Sequence, residues 1–421
     1  MRFFHKYQNH TTFENKPIIS RKPDVSLCSI EGSSRNGMHY NYLPYDAEIE
    51  YLKSTGTQYI DTEYIPNANT QLYIEFSVVS YNTTMSHATA PFGARMGWQN
   101  KQFALFCPVN STKQSVVCYG NAVKSNSSTN INLNQKYICD VNKTTWILKP
   151  SNGTNIISNT FTETDTSNLP NLNLWLFNFN NNNSRPEVDD NINIYSFIIK
   201  ENGNIIMDLI PVRVGSTGYM YDKVSKRLFG NSGTGNFTLG QDIIPIEYIR
   251  STGTQYINTG VKPNTNTKVR LKFKNLVITG NVIIGYMGSG DSNDWRFFNA
   301  TSKAYFDVIN SRINTSGAAI NANVNYEIEL GNYYIKNLIT GTNIISGSSK
   351  TYTGDRAITL NGDKSFSQNI FYYVKIFDGN TLIRDFVPVR IGTVGYLFDK
   401  VNRQLYGNAG SGAFTLGPDI T

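Results

Sequence analysis

The sequence predicts an all-β protein made of two tandem jelly-roll sandwiches behind an extended N-terminal segment. Two segments of the 421-residue chain occur twice, apolar residues alternate with polar ones in many short runs, and clusters of Gly, Asn and Ser separate these runs. Alternation at a period of two is typical of half-buried strands. Many short strands with turn signals between them are typical of a two-sheet sandwich.

The repeat has a head and a tail that match between its two copies. The head STGTQYI stands at 54–60 and again at 251–257, at an offset of 197 positions. The tail at 208–243 matches 385–420 at an offset of 177, so the second copy is 20 residues shorter in its middle. An Asn-rich loop at 177–190 holds the excess in the first copy.

The two copies predict two domains, 47–243 and 244–421, after the segment 1–46. Each copy is too long to be a solenoid unit, and its length suits a sandwich of twelve or more strands. The first and last strands of a jelly roll commonly pair, which would explain why heads and tails are the parts that match. Gly56 and Gly253 permit a turn within the two heads.

Alternation within the runs assigns individual side chains to strand faces. Two clear runs have their alternating positions at Val269, Leu271 and Phe273 and at Phe371, Tyr373 and Lys375. Because successive side chains of a strand point to opposite sides, each set is expected to share one face.

The charge of the chain is basic but scattered. Charged residues make up only 16% of the sequence, the net charge is +7 and the pI is about 9.0. Lys and Arg form no long run and are interrupted by acids throughout, unlike the concentrated basic patch of a nucleic-acid-binding protein. We therefore predict no nucleic-acid partner and attribute the charge to solubility.

Four cysteines, at positions 28, 107, 118 and 139, form neither a disulfide framework nor a zinc motif. Cys107, Cys118 and Cys139 are expected to be small buried residues. The sequence has no run of eighteen apolar residues and no secretory signal, so no membrane insertion is predicted.

Catalytic residues are scarce in the sequence. The only histidines are His5, His10, His39 and His87, so the second copy has none. This excludes a Ser-His-Asp or Cys-His site common to both copies.

Glycoside hydrolysis needs two carboxylates on either side of the sugar. Glu327 and Glu329 share a strand face, but the corresponding strand of the first copy carries Asp140 alone. We interpret this pair as a solvated strand face and predict a protein that is not an enzyme.

The head IEYLKSTGTQYIDT at 49–62 and the tail at 208–243 resemble those of laminin-G-like or concanavalin A-like lectin/glucanase domains. The resemblance covers about 370 residues and implies two concanavalin A-like jelly rolls. Such domains often bind calcium through loop oxygens, and Asp222 and Asp399 recur in both copies. Because an aspartate that opens a turn also explains both residues, no metal site is assigned and calcium is left open as a cofactor.

Lectin-like domains bind sugars through an exposed aromatic ring and a few polar side chains. Two tryptophans follow glycine-rich turns at comparable places in the copies. The glycan-binding candidates are Trp98 with Arg95 and Gln99, and Trp295 with Asp294 and Arg296. The alternative is that both tryptophan rings cover the edge of a sandwich.

The leader at 1–46 is polar and lacks the repeat. Its segments PDVSLC and HYNYLPYD resemble leaders that precede β domains in crAss-like phages, which implies attachment to a capsid or tail. The predicted apolar anchors are Val25, Leu27, Ile30, Met38, Tyr40, Tyr42, Leu43 and Tyr45. The alternative is a plain linker.

These resemblances imply a non-enzymatic structural protein of a phage virion, a head fibre or capsid decoration, exposed on the particle surface. Its partners would be capsid or other virion proteins, through the leader, and host or mucus glycans. Fibres of this kind are usually homo-oligomers and often trimers. The alternatives are a bacterial surface glycan-binding module and a polysaccharide-cleaving enzyme.

Overall fold

The structure is a computed structural model. It describes residues 43–80, 89–97, 100–109, 114–126, 131–151, 157–161, 168–186, 191–278, 280–287, 294–300, 303–309, 311–313, 316–364 and 367–420. Every regular element in these residues is a β-strand, which confirms the predicted all-β class. The described part of the chain includes no long apolar helix of the kind that crosses a membrane.

Two sheets form from the described residues of the first copy. One has eleven strands in the order β11-β10-β9-β4-β14-β15-β16-β17, with β1 beside β15 and β2 beside β14 and β18. The other has seven, in the order β3-β12-β5-β6-β7-β8, with β13 beside β5. The strands are β1 Ala47–Glu48, β2 Leu52–Lys53, β3 Ile60–Asp61, β4 Thr70–Ser80, β5 Phe92–Gly97, β6 Asn100–Val109, β7 Gln114–Gly120, β8 Ala122–Asn126, β9 Tyr137–Val141, β10 Thr145–Pro150, β11 Ile157–Thr160, β12 Trp175–Leu176, β13 Asn180–Asn181, β14 Asn191–Glu201, β15 Asn204–Val214, β16 Thr217–Asp222, β17 Leu228–Phe229 and β18 Thr238–Leu239.

The second copy repeats this arrangement. Its eleven-stranded sheet has the order β29-β28-β27-β22-β31-β32-β33-β34, with β19 beside β32 and β20 beside β31 and β35, and its six-stranded sheet has the order β21-β30-β23-β24-β25-β26. The strands are β19 Ile243–Pro245, β20 Ile249–Arg250, β21 Ile257–Asn258, β22 Thr267–Asn275, β23 Val282–Tyr286, β24 Trp295–Ala300, β25 Lys303–Val308, β26 Ala318–Ala319, β27 Asn325–Leu330, β28 Tyr334–Asn337, β29 Asn343–Ser346, β30 Thr359–Leu360, β31 Asn369–Asp378, β32 Thr381–Ile391, β33 Val394–Asp399, β34 Gln404–Tyr406 and β35 Thr415–Leu416. Two sandwiches in tandem are thereby confirmed.

The contacts divide the chain into two compact units. One unit is built mainly from 54–210 and 216–237, the other from 45–53, 211–215 and 238–420. Because these segments interleave, the domain limits at 47–243 and 244–421 stay a prediction.

Head and tail meet in both copies, as the jelly-roll interpretation requires. Strand β2 of the head pairs with β18 of the tail, and β20 pairs with β35. Gly56 and Gly253, in the two heads, have φ angles of 116° and 114°, a region that favours glycine.

Only part of the extra length of the first copy lies where the sequence placed it. Leu176 and Phe197 are 21 positions apart and the equivalent Leu360 and Val374 are 14 apart, so this interval holds seven of the 20 extra residues. Strand β13, within the Asn-rich loop, pairs in parallel with β5 and makes the smaller sheet of the first copy seven-stranded rather than six-stranded.

The core of the second sandwich collects the inner faces of both its sheets. Leu271 and Phe273 of β22 belong to one buried cluster with Phe297 of β24 and Phe306 of β25. Burial of such side chains is the main favourable term in folding. The alternation predicted for β22 is therefore confirmed.

The alternation predicted for β31 is wrong in phase. Phe371 is buried, but the next core residues are Val374 and Ile376, while Tyr373 and Lys375 point outward. The pairing of β31 with β22 shifts register between Lys272 and Phe273, which marks a β-bulge. A bulge adds one residue and reverses the faces beyond it.

The three described cysteines are small core residues, as predicted. Cys107, Cys118 and Cys139 are unpaired and fully buried. Burial raises the pKa of all three thiols, to about 12 for Cys118.

Candidate functional site

Trp295, predicted as an exposed sugar platform, lies in the core of the second sandwich. Its side chain is fully buried, its indole N–H donates to the Tyr352 hydroxyl at 3.0 Å, and its ring packs edge-on against Phe306. A buried ring offers no face to a saccharide, so this assignment is corrected. The ring has a packing role, but in the core and not at the edge of the sandwich as the alternative proposed.

The polar residues beside Trp295 are engaged in ion pairs. Arg296 lies 3.0 Å from Asp294 and 3.1 Å from Asp307, and its guanidinium stacks 4.6 Å from the centroid of Phe298. Both Asp294 and Asp307 are buried. The contact with Asp307 joins β24 to β25, and a glycan-binding role for Asp294 and Arg296 stays a prediction.

The candidates of the first copy are only partly described. Arg95 stacks 4.7 Å from the Phe179 centroid and donates to Asn181 Oδ1 at 3.3 Å. Trp98 and Gln99 lie outside the described residues.

Most leader anchors also fall outside the described residues, namely Val25, Leu27, Ile30, Met38, Tyr40 and Tyr42. Leu43 is 57% exposed, and the Tyr45 hydroxyl donates to Glu48 at 3.3 Å. An exposed Leu43 is compatible with an anchor, and the attachment role stays a prediction.

The repeated aspartates hold turns. Asp222 accepts hydrogen bonds from the backbone N–H groups of Asp208, Val224 and Ser225, and Asp399 accepts from those of Asp385 and Val401. Both carboxylate oxygens of Asp222 and Oδ1 of Asp399 are engaged in this way and close the hairpin, as a turn-opening aspartate does. Among the described residues, no three His, Cys, Asp or Glu side chains cluster closely enough to hold a metal ion.

A polar groove of about 470 Å³ opens on the outer face of the eleven-stranded sheet of the second copy. This volume lies within the usual range of small-molecule sites, about 300–1,000 Å³. Its lining consists of Arg270, Glu327, Leu338, Tyr373, Lys375, Asp385, Val387 and Lys400. We call it the basic groove.

Strand register brings these side chains together. Arg270 lies opposite Glu329 on β27 and opposite Lys375 on β31, and Lys375 lies opposite Asp385 on β32. Directly paired residues of antiparallel strands point to the same face. One row across four strands therefore carries two cations and two carboxylates.

Glu329 lies next to the basic groove and pairs with Arg270, one of its lining residues. It is 6% exposed, its carboxylate lies 2.5 Å from Arg270 Nε, and it accepts a hydrogen bond from the Tyr334 hydroxyl at 2.5 Å. Burial raises the pKa of this carboxyl, but Tyr334 and Arg270 outweigh burial and hold the pKa below its ordinary value. The interpretation of Glu329 as solvated is therefore wrong, because Arg270 covers it.

Tyr373 and Glu327 form the second polar pair of the groove. The Tyr373 hydroxyl donates to Glu327 Oε1 at 2.7 Å. Burial, followed by this hydrogen bond and the charge of Glu327, raises the pKa of Tyr373. The phenol therefore stays neutral and keeps its proton, which it donates in the hydrogen bond to the Glu327 carboxylate.

Asp385 has an acceptor atom without a partner. Lys375 Nζ lies 3.5 Å from Asp385 Oδ2, but Oδ1 is buried and accepts no hydrogen bond from the described residues. Buried carboxylate oxygens are normally satisfied, but Oδ1 of Asp208, the equivalent residue of the first copy, is also buried without a partner. The orphaned oxygen is therefore a feature of the fold that both copies share. Lys400, an exposed residue just past β33, lines the groove next to Asp385.

The basic groove can hold a polyhydroxylated ligand by hydrogen bonds and ionic contacts. Carboxylate oxygens of Glu327 and Asp385 can accept from hydroxyl groups, and Arg270, Lys375 and Lys400 can donate to oxygen atoms. Sequence reasoning missed this site, although the alternation in KVRLKFKN placed Arg270 on one strand face with three lysines.

Comparisons with known proteins find distant structural neighbours. No protein-family model and no curated protein sequence matches the chain. Domains LG4–5 of the mouse laminin α1 chain align at 11% identity over 82% of this chain and 94% of that chain, with a TM-score of 0.30. The LG1–3 region of the laminin α2 chain aligns at 10% identity over 89% and 66%, with a TM-score of 0.28.

A third neighbour is a candidate carbohydrate-binding protein from Bacteroides ovatus. It aligns at 10% identity over 90% of this chain and 96% of that chain, with a TM-score of 0.27. At these TM-scores the chain is similar to its neighbours only remotely, and no ligand or role transfers from them.

Proposed function

We propose that the chain is a non-enzymatic glycan-binding protein of a phage virion, a head fibre or capsid decoration. Its leader, residues 1–46, attaches it to capsid or other virion proteins, and its sandwiches are displayed on the particle surface as a homo-oligomer, in the fibre case a trimer. The resemblance of the leader and of the repeated head and tail supports this proposal.

The basic groove is the observation that carries the glycan-binding function. It combines a size suited to a small ligand, acceptors at Glu327 and Asp385, and donors at Arg270, Lys375 and Lys400. Saccharides present many hydroxyl groups, each a donor and an acceptor, and such a lining can satisfy them without any chemical step.

Two experiments test the proposal. Mass spectrometry of purified particles from infected gut bacteria should detect the chain as a stoichiometric component, and its absence from particles would refute the virion role. Purified chain applied to an array of bacterial and mucin glycans should bind a subset without releasing new reducing ends. Release of reducing ends would instead identify the polysaccharide-cleaving alternative.

A further inference from the structure

We infer that the basic groove selects acidic polysaccharides, those that carry carboxylate or sulfate groups, and that the corresponding face of the first copy does not. This inference rests on the proposed glycan-binding function and names the ligand class of the same site.

The outer face around the basic groove is strongly cationic. Seven basic side chains point outward from its strands and bordering turn, and three carboxylates, Glu327, Glu329 and Asp385, lie among them. The seven are Lys268, Arg270, Lys272, Lys274, Lys336, Lys375 and Lys400. Clustered charge of one sign on a sheet face attracts ligands of the opposite sign.

The same face of the first copy is less strongly cationic, and its cations stand at other positions. Lys200 lies opposite Gln71, and Lys149 lies in one row with Glu75 through Ile138. Register aligns β22 with β4 and β31 with β14, bulge included, so each basic position has a counterpart. The counterparts, in the same order, are Gln71, Tyr73, Glu75, Ser77, Ile147, Ile198 and Lys223. One cation remains of seven, and it forms an ion pair with Asp208.

Comparison of the two copies shows which of these charged residues the sandwich fold requires. Both copies keep an acid at the positions of Glu329 and Asp385, which are Asp140 and Asp208 in the first copy. The fold therefore forms without the cations at 270, 272 and 375. Their concentration on one face of one copy is a property of that surface and not a requirement of the sandwich.

The acceptors of the groove favour a saccharide over a polyphosphate chain. Glu327 and Asp385, on strands β27 and β32, both line the groove and present carboxylates to it. A phosphate backbone would bring further acceptors and like charge to these atoms. An acidic sugar brings hydroxyl donors for the carboxylates and anionic groups for Lys375 and Lys400.

The test is a titration of the full chain with four polymers in low salt. Polygalacturonate carries carboxylates, dextran sulfate carries sulfates, dextran is neutral and single-stranded DNA is a polyphosphate. We expect binding to one or both acidic polysaccharides, at least about tenfold weaker binding to dextran and DNA, and a loss of affinity with added salt.

Two variants locate the binding. Lys375→Ile, which installs the residue that the first copy carries, and Lys400→Gln should each weaken binding of the acidic polysaccharide by about tenfold. Lys303→Gln removes the same charge from the six-stranded sheet and should leave the affinity unchanged. Thermal unfolding of each variant verifies that the fold is retained.

The outcomes distinguish the two proposals. Dextran binding as tight as polygalacturonate, equal binding of DNA, or acidic binding that both groove variants leave intact would overturn the inference while saccharide binding stands. Failure to bind any saccharide here and on the glycan array would overturn the proposed function as well.

Discussion

The backbone N–H of Tyr59 donates to Asn231 Oδ1 at 3.2 Å, across 172 residues of sequence. The second copy repeats the bond between Tyr256 and Asn408 at 3.1 Å. In each copy this bond ties the head STGTQYI to the glycine-rich tail. The parts of the repeat that match best are therefore the two halves of one contact.

Gln58 organises the head from within, and its removal should destabilise the first sandwich. Gln58 is buried and its Oε1 accepts from the backbone N–H of Thr55 at 2.8 Å. Gln58→Ala leaves that donor unsatisfied, at a cost of about 1–3 kcal/mol in the free energy of unfolding. Urea denaturation measures it. Gln241 is exposed, so the control Gln241→Ala should change the free energy of unfolding by less than about 0.5 kcal/mol. If the two substitutions had equal effects, Gln58 would not organise the head.

Gly233 allows the tail to approach the head, and a side chain there should disrupt the contact. A Cβ at Gly233 would lie 2.0 Å from the carbonyl oxygen of Thr57, which is backbone and cannot rotate away. Gly203 provides the control, because a Cβ there meets nothing and only its positive φ of 82° is strained.

Gly203→Ala should therefore cost about 1–2 kcal/mol, and Gly233→Ala clearly more. Guanidinium denaturation of both variants measures the difference. A Gly233→Ala variant as stable as Gly203→Ala would show that the head and tail are not in close contact.

Trp295→Phe should lower stability without weakening saccharide binding. The substitution removes the indole N–H that donates to the Tyr352 hydroxyl and leaves a gap in the core. The lost hydrogen bond should lower the free energy of unfolding by about 1–3 kcal/mol, and the gap should lower it further. Thermal unfolding and a titration with polygalacturonate measure the two effects. A folded Trp295→Phe variant with lost binding would restore Trp295 as a sugar contact.

The buried carboxylate of Glu329 should make the second sandwich sensitive to acid. Its pKa is lowered from the ordinary value of 4.5, because Tyr334 and Arg270 outweigh the effect of burial. A lowered folded-state pKa adds stability above the unfolded pKa, and this stability is lost as pH falls through the folded value.

Glu329→Gln should therefore lower the free energy of unfolding at pH 6, and the gap to the unsubstituted chain should narrow as the pH falls from about 5 to 3. Urea denaturation at several pH values measures this. A gap that stays constant over that range would mean that the Glu329 pairing does not depend on its charge.

Fold and site differed in how far the sequence could predict them. The duplicated head and tail predicted the sandwiches and their paired end strands, because turns and alternation are local signals. The bulge beside Tyr373 was missed, since one inserted residue leaves no mark on the apolar pattern. The basic groove was missed because its members come from four strands, and only register places Arg270, Lys375 and Asp385 in one row.

The burial of Trp295 could not be predicted from its neighbours in the sequence. A tryptophan after a glycine-rich turn is compatible with a platform and with a core residue, and the choice depends on which sheet faces it. In the structure, Tyr352 and Phe306 enclose the ring.

Lysine acetylation of the chain with and without bound polygalacturonate, read by mass spectrometry, tests the central claim most directly. The account predicts that bound polymer protects Lys272, Lys375 and Lys400, while Lys223 of the first copy and Lys303 of the six-stranded sheet react at unchanged rates. Equal protection of all five lysines would contradict the account, and so would unchanged acetylation of Lys375 and Lys400 in the presence of the polymer.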